Sequence, residues 1–334
     1  MLRAIELVDF RCYERALFML GERGTAWVGP NASGKTSALE GIQKLALLRG
    51  FGKDEEMLRW GASQYRIRAR LDEETIEVLY EKGKGTRLFR EGQAIQPLSA
   101  WIGRLPVVSL RPADISWVEG GAAERRKWAD RLLSQLSHEY LMALARYQRA
   151  LDQRNALLSQ PETPEQQLTL WEEVLLREGI VLQKMRQELS ERLLPILRAY
   201  YDYFGKEPVG LAYRLSVLPS KEAWEQAWKR LRKEEYRLRR TLLGPHLEDF
   251  VLTLSGRPAR GYASEGQKKS LLIALKWAEM QYLLQQGHRP ILLLDDIGEK
   301  LDRNRLLAVG RLSRFALQTF LTDTDEKRVR ETFP

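Results

Sequence analysis

Apolar and polar positions along this chain change period several times, and each change marks an element. Residues 3–8 and 16–19 alternate or run apolar, and Trp27-Val28 closes a short apolar stretch just before a glycine-rich loop. These read as strands. A helical period follows from about 35 to 48 and stops near Gly50 and Gly52. Alternation returns in YRIRARL near 65–71, TIEVLY near 75–80 and TRLFR near 86–90, with Gly83 and Gly85 supplying the turn between the last two. PVVSL, at 106–110, has the texture of a buried strand.

From 122 to 204 the pattern is almost wholly helical, broken at SQPETPE (159–165), where two prolines impose a turn. The expectation is a helical hairpin whose two arms mix Leu with many charges. Their irregular heptads and modest length argue against an extended coiled coil. A strand is expected near 208–218 and a basic helix at 220–240. The last hundred residues alternate: a strand near 250–254, a helix at 264–286, the strand ILLL at 291–294, a helix at 302–313 and the strand TFLT at 319–322. Strand–helix–strand alternation predicts an α/β fold with a parallel sheet under covering helices. No internal repeat or low-complexity tract is present.

Composition narrows the partners. With 334 residues, 44% of them hydrophobic and 30% charged, the chain has room for two or three packed units of a soluble globular protein. A net charge of +9 favours an anionic partner, nucleic acid or nucleotide. Cys12 is the one cysteine, which excludes an intramolecular disulfide and a cysteine-built zinc site, and a reducing cytoplasm is the expected setting. MLRAIELVDF lacks the pattern of a secretory signal, and no apolar run approaches the ~18 residues of a membrane span. His138, His246 and His288 are too dispersed in sequence to suggest a metal cluster.

Gly29-Pro30-Asn31-Ala32-Ser33-Gly34-Lys35-Thr36 matches G-x-x-x-x-G-K-[ST], after a strand and before a helix. Glycines let the backbone wrap a phosphate, and the helix start points its positive end at the same anion. Lys35 is expected to reach the β/γ-phosphates of ATP, and the Thr36 hydroxyl to ligate Mg²⁺. Ile291–Leu294 runs into Asp295 and Asp296, two carboxylates at the carboxyl end of a strand, where ligands of open parallel sheets bind. Asp295 is expected to hold Mg²⁺ and Asp296 to act as the catalytic base toward water. Ser264-Glu265-Gly266-Gln267 opens another helix. Its plain reading is an N-cap; a second phosphate contact is the alternative.

Together, GPNASGKT, SEGQ, LLLDD and Leu301-Asp302 resemble, in order, the ABC-ATPase heads of the SMC and RecF group. Further segments are similar to the RecF family itself: FRCY (10–13), RPAD (111–114), ERRKWAD (124–130), YQRALDQRNALL (147–158), LLGPHLEDF (242–250) and GRPARGYASEGQ (256–267). The resemblance spans residue 2 to about 325 and implies a discontinuous ATPase lobe I (1–110 plus 270–334) and a mainly helical lobe II (111–269). It implies that Ser264, Gly266 and Gln267 are signature residues acting in trans on the ATP of a second copy. Asp302 falls in the D-loop, Thr322 and Asp323 in the switch region, and Arg11 among the ATP contacts.

The same resemblance implies slow ATPase activity coupled to dimerisation, binding to DNA junctions, a RecR-like partner, and recombinase loading at gapped DNA in replication, repair, recombination and the SOS response. Departures fall at Cys12, Ala113, Leu247, Glu248 and Glu299, where the family pattern has Asn, Glu, Arg, Asp and Ser. A carboxylate at 299 is expected to disfavour phosphate or to alter dimer contacts. Two rivals follow: a related head with a different client, and an ATP-clamped binding module without turnover.

For DNA, Lys229, Arg230, Arg232, Lys233, Arg237, Arg239 and Arg240 crowd one helix, interrupted by Glu234 and Glu235. Such a cluster either neutralises phosphates or forms a solvated face with internal ion pairs. Arg125, Arg126, Lys127, Lys268 and Lys269 are further candidates. No base-reading motif is present, so backbone recognition without sequence preference is expected.

Overall fold

The computed structural model describes residues 1–160 and 165–333. In chain order it begins with β1 (Leu2–Phe10), β2 (Tyr13–Met19), β3 (Gly24–Val28), α1 (Lys35–Leu47), β4 (Gln64–Leu71), β5 (Thr75–Glu81), β6 (Gly85–Arg90), β7 (Gln93–Ala94) and β8 (Val107–Leu110). Then come α2 (Ser116–Glu119), α3 (Ala122–Leu136), α4 (His138–Leu158), α5 (Glu165–Tyr201), β9 (Val209–Arg214), α6 (Lys221–Leu238), β10 (Asp249–Leu254), β11 (Arg257–Pro258) and α7 (Ala259–Tyr262). The chain closes with α8 (Glu265–Gln285), β12 (Ile291–Asp295), α9 (Arg303–Ser313), β13 (Thr319–Asp323) and α10 (Glu326–Thr332). Met1–Ile115 with Lys269–Pro334 make one compact unit, and Ser116–Lys268 the other.

The first unit holds two sheets. One is antiparallel, in the order β2-β1-β4-β5-β6-β7. Its alternation is that of a sheet wet on one face: Leu7, Ile67, Val78 and Leu88 are buried, while their chain neighbours face outward. The other sheet is parallel, in the order β3-β13-β12-β8. Every residue of β12, β13 and β8 is buried, which is why these segments read as continuous apolar runs. Helix α1 touches strands of both sheets, and its residues from Ala38 to Leu47 are buried on every side. This packing aims the helix start at the carboxyl ends of the parallel strands, through the contact of Thr36 with Asp295.

The second unit packs α3, α4, α5 and α6 with a three-stranded antiparallel sheet, β11-β10-β9. The helical run expected from 122 to 204 has one break that periodicity did not disclose. Ser137 turns extended (φ −136), and its hydroxyl accepts from the Tyr140 amide at 3.1 Å, capping a new helix. The turn expected at 159–165 lies, over 161–164, outside the described residues.

Candidate nucleotide-binding site

The loop from Gly29 to Gly34 uses two left-handed residues, Ala32 (φ 65) and Gly34 (φ 93). Gly34 is required by space as well as by φ. A Cβ there would sit 2.6 Å from the Tyr13 hydroxyl and 2.9 Å from Cys12 Sγ. The Tyr13 hydroxyl donates to the Gly34 carbonyl at 3.0 Å, so β2 braces the loop from outside. Lys35 Nζ donates to the Gly29 and Pro30 carbonyls, both at 2.7 Å. The ammonium is thus held inside the loop on two neutral acceptors, which an anionic oxygen outcompetes.

At the strand ends, Asp295 Oδ1 accepts from Thr36 Oγ1 at 2.7 Å and from Thr322 Oγ1 at 2.9 Å. Three elements (α1, β12 and β13) therefore converge on one carboxylate oxygen. Asp296 follows with φ 49, its amide donating to the Thr322 hydroxyl at 2.9 Å. A left-handed, non-glycine residue costs about 1–3 kcal/mol and persists where its surroundings over-determine it. Asp296 Oδ1 is buried and has no hydrogen-bond partner among the described residues. Burial, then repulsion from Glu299 and Asp295, raises its pKa above the ordinary carboxylate value, against the pull of Lys35. Glu299 itself is held by the Thr324 hydroxyl at 2.6 Å, and Asp323 is salt-bridged to Arg328.

The cleft bounded by Cys12, Asn31, Gly34, Lys35, Thr36 and Asp296 measures about 220 Å³. That is below the roughly 300 Å³ at which pockets begin to enclose a whole drug-sized ligand. It has the size and donor set for a phosphate chain, with a hydroxyl, a carboxylate and an unsatisfied acceptor on its far side. These hard oxygen donors also suit Mg²⁺.

Other residues singled out from the sequence are engaged elsewhere. Arg11 spends all its nitrogens internally: Nε and Nη2 on Glu40 at 2.6 and 2.9 Å, Nη1 on the Glu56 carbonyl at 2.5 Å. Asp302 caps α9 by accepting from the Arg305 amide at 3.0 Å. In the second unit, Ser264 and Gln267 form a reciprocal capping box. The Gln267 amide donates to Ser264 Oγ at 3.3 Å, and the Ser264 amide donates to Gln267 Oε1 at 2.8 Å. Gly266 lies in the first turn of that helix.

Of the basic helix, Arg232 is half-buried on Glu172 and Arg237 is paired with Glu234. Lys229, Arg230, Lys233, Arg239 and Arg240 stay exposed. Arg125 grips Asp249 through two nitrogens and Arg126 donates to the Glu248 carbonyl, so both serve the fold; Lys127 and Lys268 are in ion pairs.

One basic surface escaped the sequence reading. Register places Arg15, Val8, Arg66, Leu79 and Arg87 in one row across the wet face of the antiparallel sheet. The next row runs Leu17, Glu6, Arg68, Glu77 and Phe89, and Arg70 lies in the row beyond. The signal was the R-x-R-x-R of YRIRARL, whose period of two puts Arg66, Arg68 and Arg70 on one face of β4.

No protein-family model matches the chain. It is 35% identical over 333 residues to the DNA replication and repair protein RecF of Moorella thermoacetica, covering 97% of this chain and 90% of that protein. With the RecF of Chlamydia muridarum it shares 33% over 333 residues, covering 95% and 90%. A solved structure of the recombination mediator protein RecF-ATP in the RecFOR pathway superposes with a TM-score of 0.87 at 26% identity, covering 98% of this chain and 94% of that one. A Smc head domain from Pyrococcus furiosus, at TM-score 0.51 and 14% identity, shares the fold alone. By sequence over nearly its whole length and by its mixed α/β head fold, this chain belongs to the family of the DNA replication and repair protein RecF.

Proposed function

We propose that this chain is an ATP-dependent, DNA-binding recombination mediator that dimerises on ATP and turns it over slowly. The observation that carries the reading is the convergence of Thr36, Asp295 and Thr322 beside a phosphate-sized cleft whose far wall holds the unpartnered Asp296 Oδ1. Lys35 exchanges two carbonyls for β/γ-phosphate oxygens, a gain because charge-assisted hydrogen bonds are the stronger kind. Thr36 Oγ1 and Asp295 would hold Mg²⁺, which when bound would neutralise charge on the phosphates. Asp296, its pKa raised by burial, accepts a proton from the attacking water.

A cleft of this size leaves the rest of the nucleotide uncovered, which supports a second copy as the lid. Ser264 Oγ already accepts from the Gln267 amide, so its own O–H remains to donate to a phosphate in trans, beside Gly266. Asp302 would face the same interface as the D-loop. For DNA, Arg66, Arg68 and Arg70 on the wet sheet face and the exposed cations of α6 supply backbone contacts without base readout, Arg15 and Arg87 being paired with Glu6 and Glu81. The relatives' RecFOR pathway supports a RecR-like partner and recombinase loading at gapped DNA. An ATP clamp without turnover is the second reading. Glu299 favours it, because a carboxylate close enough to repel Asp296 also disfavours an anionic phosphate.

Mass measured by light scattering, with and without ATP-Mg²⁺, tests the reading, with Lys35→Ala alongside. Dimerisation that Lys35→Ala abolishes is expected, with nucleotide affinity falling about a hundredfold through loss of charge-assisted bonds. A wild-type chain that binds ATP but stays monomeric, with and without DNA, would overturn the sandwich. Phosphate release under saturating DNA separates turnover from the clamp.

A further inference from the structure

A second cleft of about 620 Å³ opens in the first unit along β3, and the proposed ATP chemistry makes no use of it. β3 is an edge strand: it pairs with β13 on one side, and no strand among the described residues pairs with the other. Two hydrogen bonds fix which groups face which way. The Thr319 amide donates to the Arg23 carbonyl at 2.9 Å, and the Gly29 amide donates to the Asp323 carbonyl at 3.2 Å. Odd-numbered residues of the strand therefore serve β13. The amides and carbonyls of Ala26 and Val28 point to the open side, since backbone groups alternate along a strand, while the turn at Gly21 covers the Gly24 end. Ala26 and Val28 are both exposed, Val28 by 40%.

The groove has a floor and a charge. Ala26 and Leu321 are cross-strand neighbours, so with Phe333 they carry one face of the sheet into the cleft as an apolar floor. Arg23, Arg289 and Arg314 line its walls. Arg23 and Arg314 are exposed, and Arg289 makes only a long 3.4 Å contact to the Phe315 carbonyl. The one acid on the rim among the described residues, Glu22, is already paired with Arg3 at 2.9 Å. An open strand edge is a template for another strand, with main-chain bonds supplying affinity and alternate side chains supplying choice. Guanidinium groups with no carboxylate partner among the described residues choose carboxylates.

We propose that this groove binds an extended acidic peptide segment of a partner protein. The peptide adds as a strand along the free edge of β3, setting its carboxylates on the cleft face beside Arg23 and Arg314 and its alternate apolar side chains on the opposite face of the sheet. The site is independent of the nucleotide cleft, so the two readings stand or fall separately.

Fluorescence anisotropy of a labelled octapeptide of alternating valine and glutamate, titrated with the full chain at low salt, tests it. Saturable binding is expected. The same peptide N-methylated at every amide keeps its charge but has no N–H left for the edge, and should bind about tenfold more weakly or worse. A valine–lysine counterpart should not bind. Arg23→Glu with Arg314→Glu should weaken the acidic peptide about tenfold while leaving ATP affinity unchanged. Equal binding of the N-methylated peptide, or indifference to the double charge reversal, would overturn the proposal. So would a groove that ignores the peptide yet has Arg23 and Arg314 protected by a single-stranded oligonucleotide.

Discussion

The phosphate-loop end of the first unit and the charged interior of the second carry the same kind of sequence signal and use it in opposite ways. Around the loop, polar groups converge but leave capacity over: Lys35 sits on carbonyls, and Asp296 Oδ1 accepts nothing. In the second unit the buried charged residues are consumed. Arg154, fully buried, binds Glu172 at 2.7 Å, Glu235 at 2.5 Å and the Thr241 hydroxyl at 2.8 Å, while Asn155 Oδ1 accepts from the Thr241 amide at 2.8 Å. Arg186 binds Asp130 and the hydroxyls of Tyr140 and Tyr213. Glu248, a departure from the family pattern, is buried and accepts from Ser216 and Tyr213. Arg154 and Arg186 there hold helices together; at the loop Lys35 rests on carbonyls and Asp296 Oδ1 has no partner among the described residues.

The largest expected effect breaks the first side of this contrast. Asp296→Asn should keep nucleotide binding but lower phosphate release by roughly 10²–10⁴, the usual worth of a positioned base. Unchanged release would remove Asp296 from the chemistry. Arg154→Met tests the other side. Glu172 keeps Arg232, but stranding Glu235 in the interior should cost about 3–5 kcal/mol, read as a lower denaturation midpoint. A midpoint close to wild type would mean the network is dispensable.

A third effect is pH-dependent and also belongs to the second unit. His246 lies between the Tyr147 hydroxyl at 2.7 Å and the Thr241 carbonyl at 3.3 Å. Burial, with repulsion from Arg126, Arg154 and Arg186, lowers its pKa to about 4. The folded state therefore resists a proton that the unfolded chain takes up near 6.5. The stability from the neutral ring is complete above that value and is lost as pH falls toward 4, by up to about 3 kcal/mol. His246→Gln should flatten denaturation midpoints between those limits; an unaltered slope would clear the ring of this role.

The smallest effect sharpens the choice of DNA surface. Neutralising Arg66, Arg68 and Arg70 together should lower the slope of log affinity against log salt by roughly 2–3, about 0.9 for each DNA phosphate that is no longer neutralised. Neutralising Lys229, Arg230 and Lys233 should change it by less than about 1. The reverse ranking would return DNA binding to α6.

Several features were legible because they are local. The phosphate loop is one contiguous stretch with its strand before and its helix after, and the parallel strands declare themselves as apolar runs ending in carboxylates. Ser137 escaped because a helix break capped by one hydroxyl leaves the 3.6-residue period on either side almost unchanged. The arginine rows escaped because they join β1, β2, β4, β5 and β6, whose register exists only in the folded sheet.

The sequence by itself determined the element types and the family, since each depends on neighbours in the chain or on matched residues in order. Tertiary structure alone decided which charges were free. Arg11, Arg125, Arg154 and Arg232 read in sequence like the exposed cations around them, yet their carboxylate partners lie 29, 124, 18 and 60 residues away. A guanidinium is available to a ligand only when no internal carboxylate has been folded against it, and pairings at those separations are set by packing.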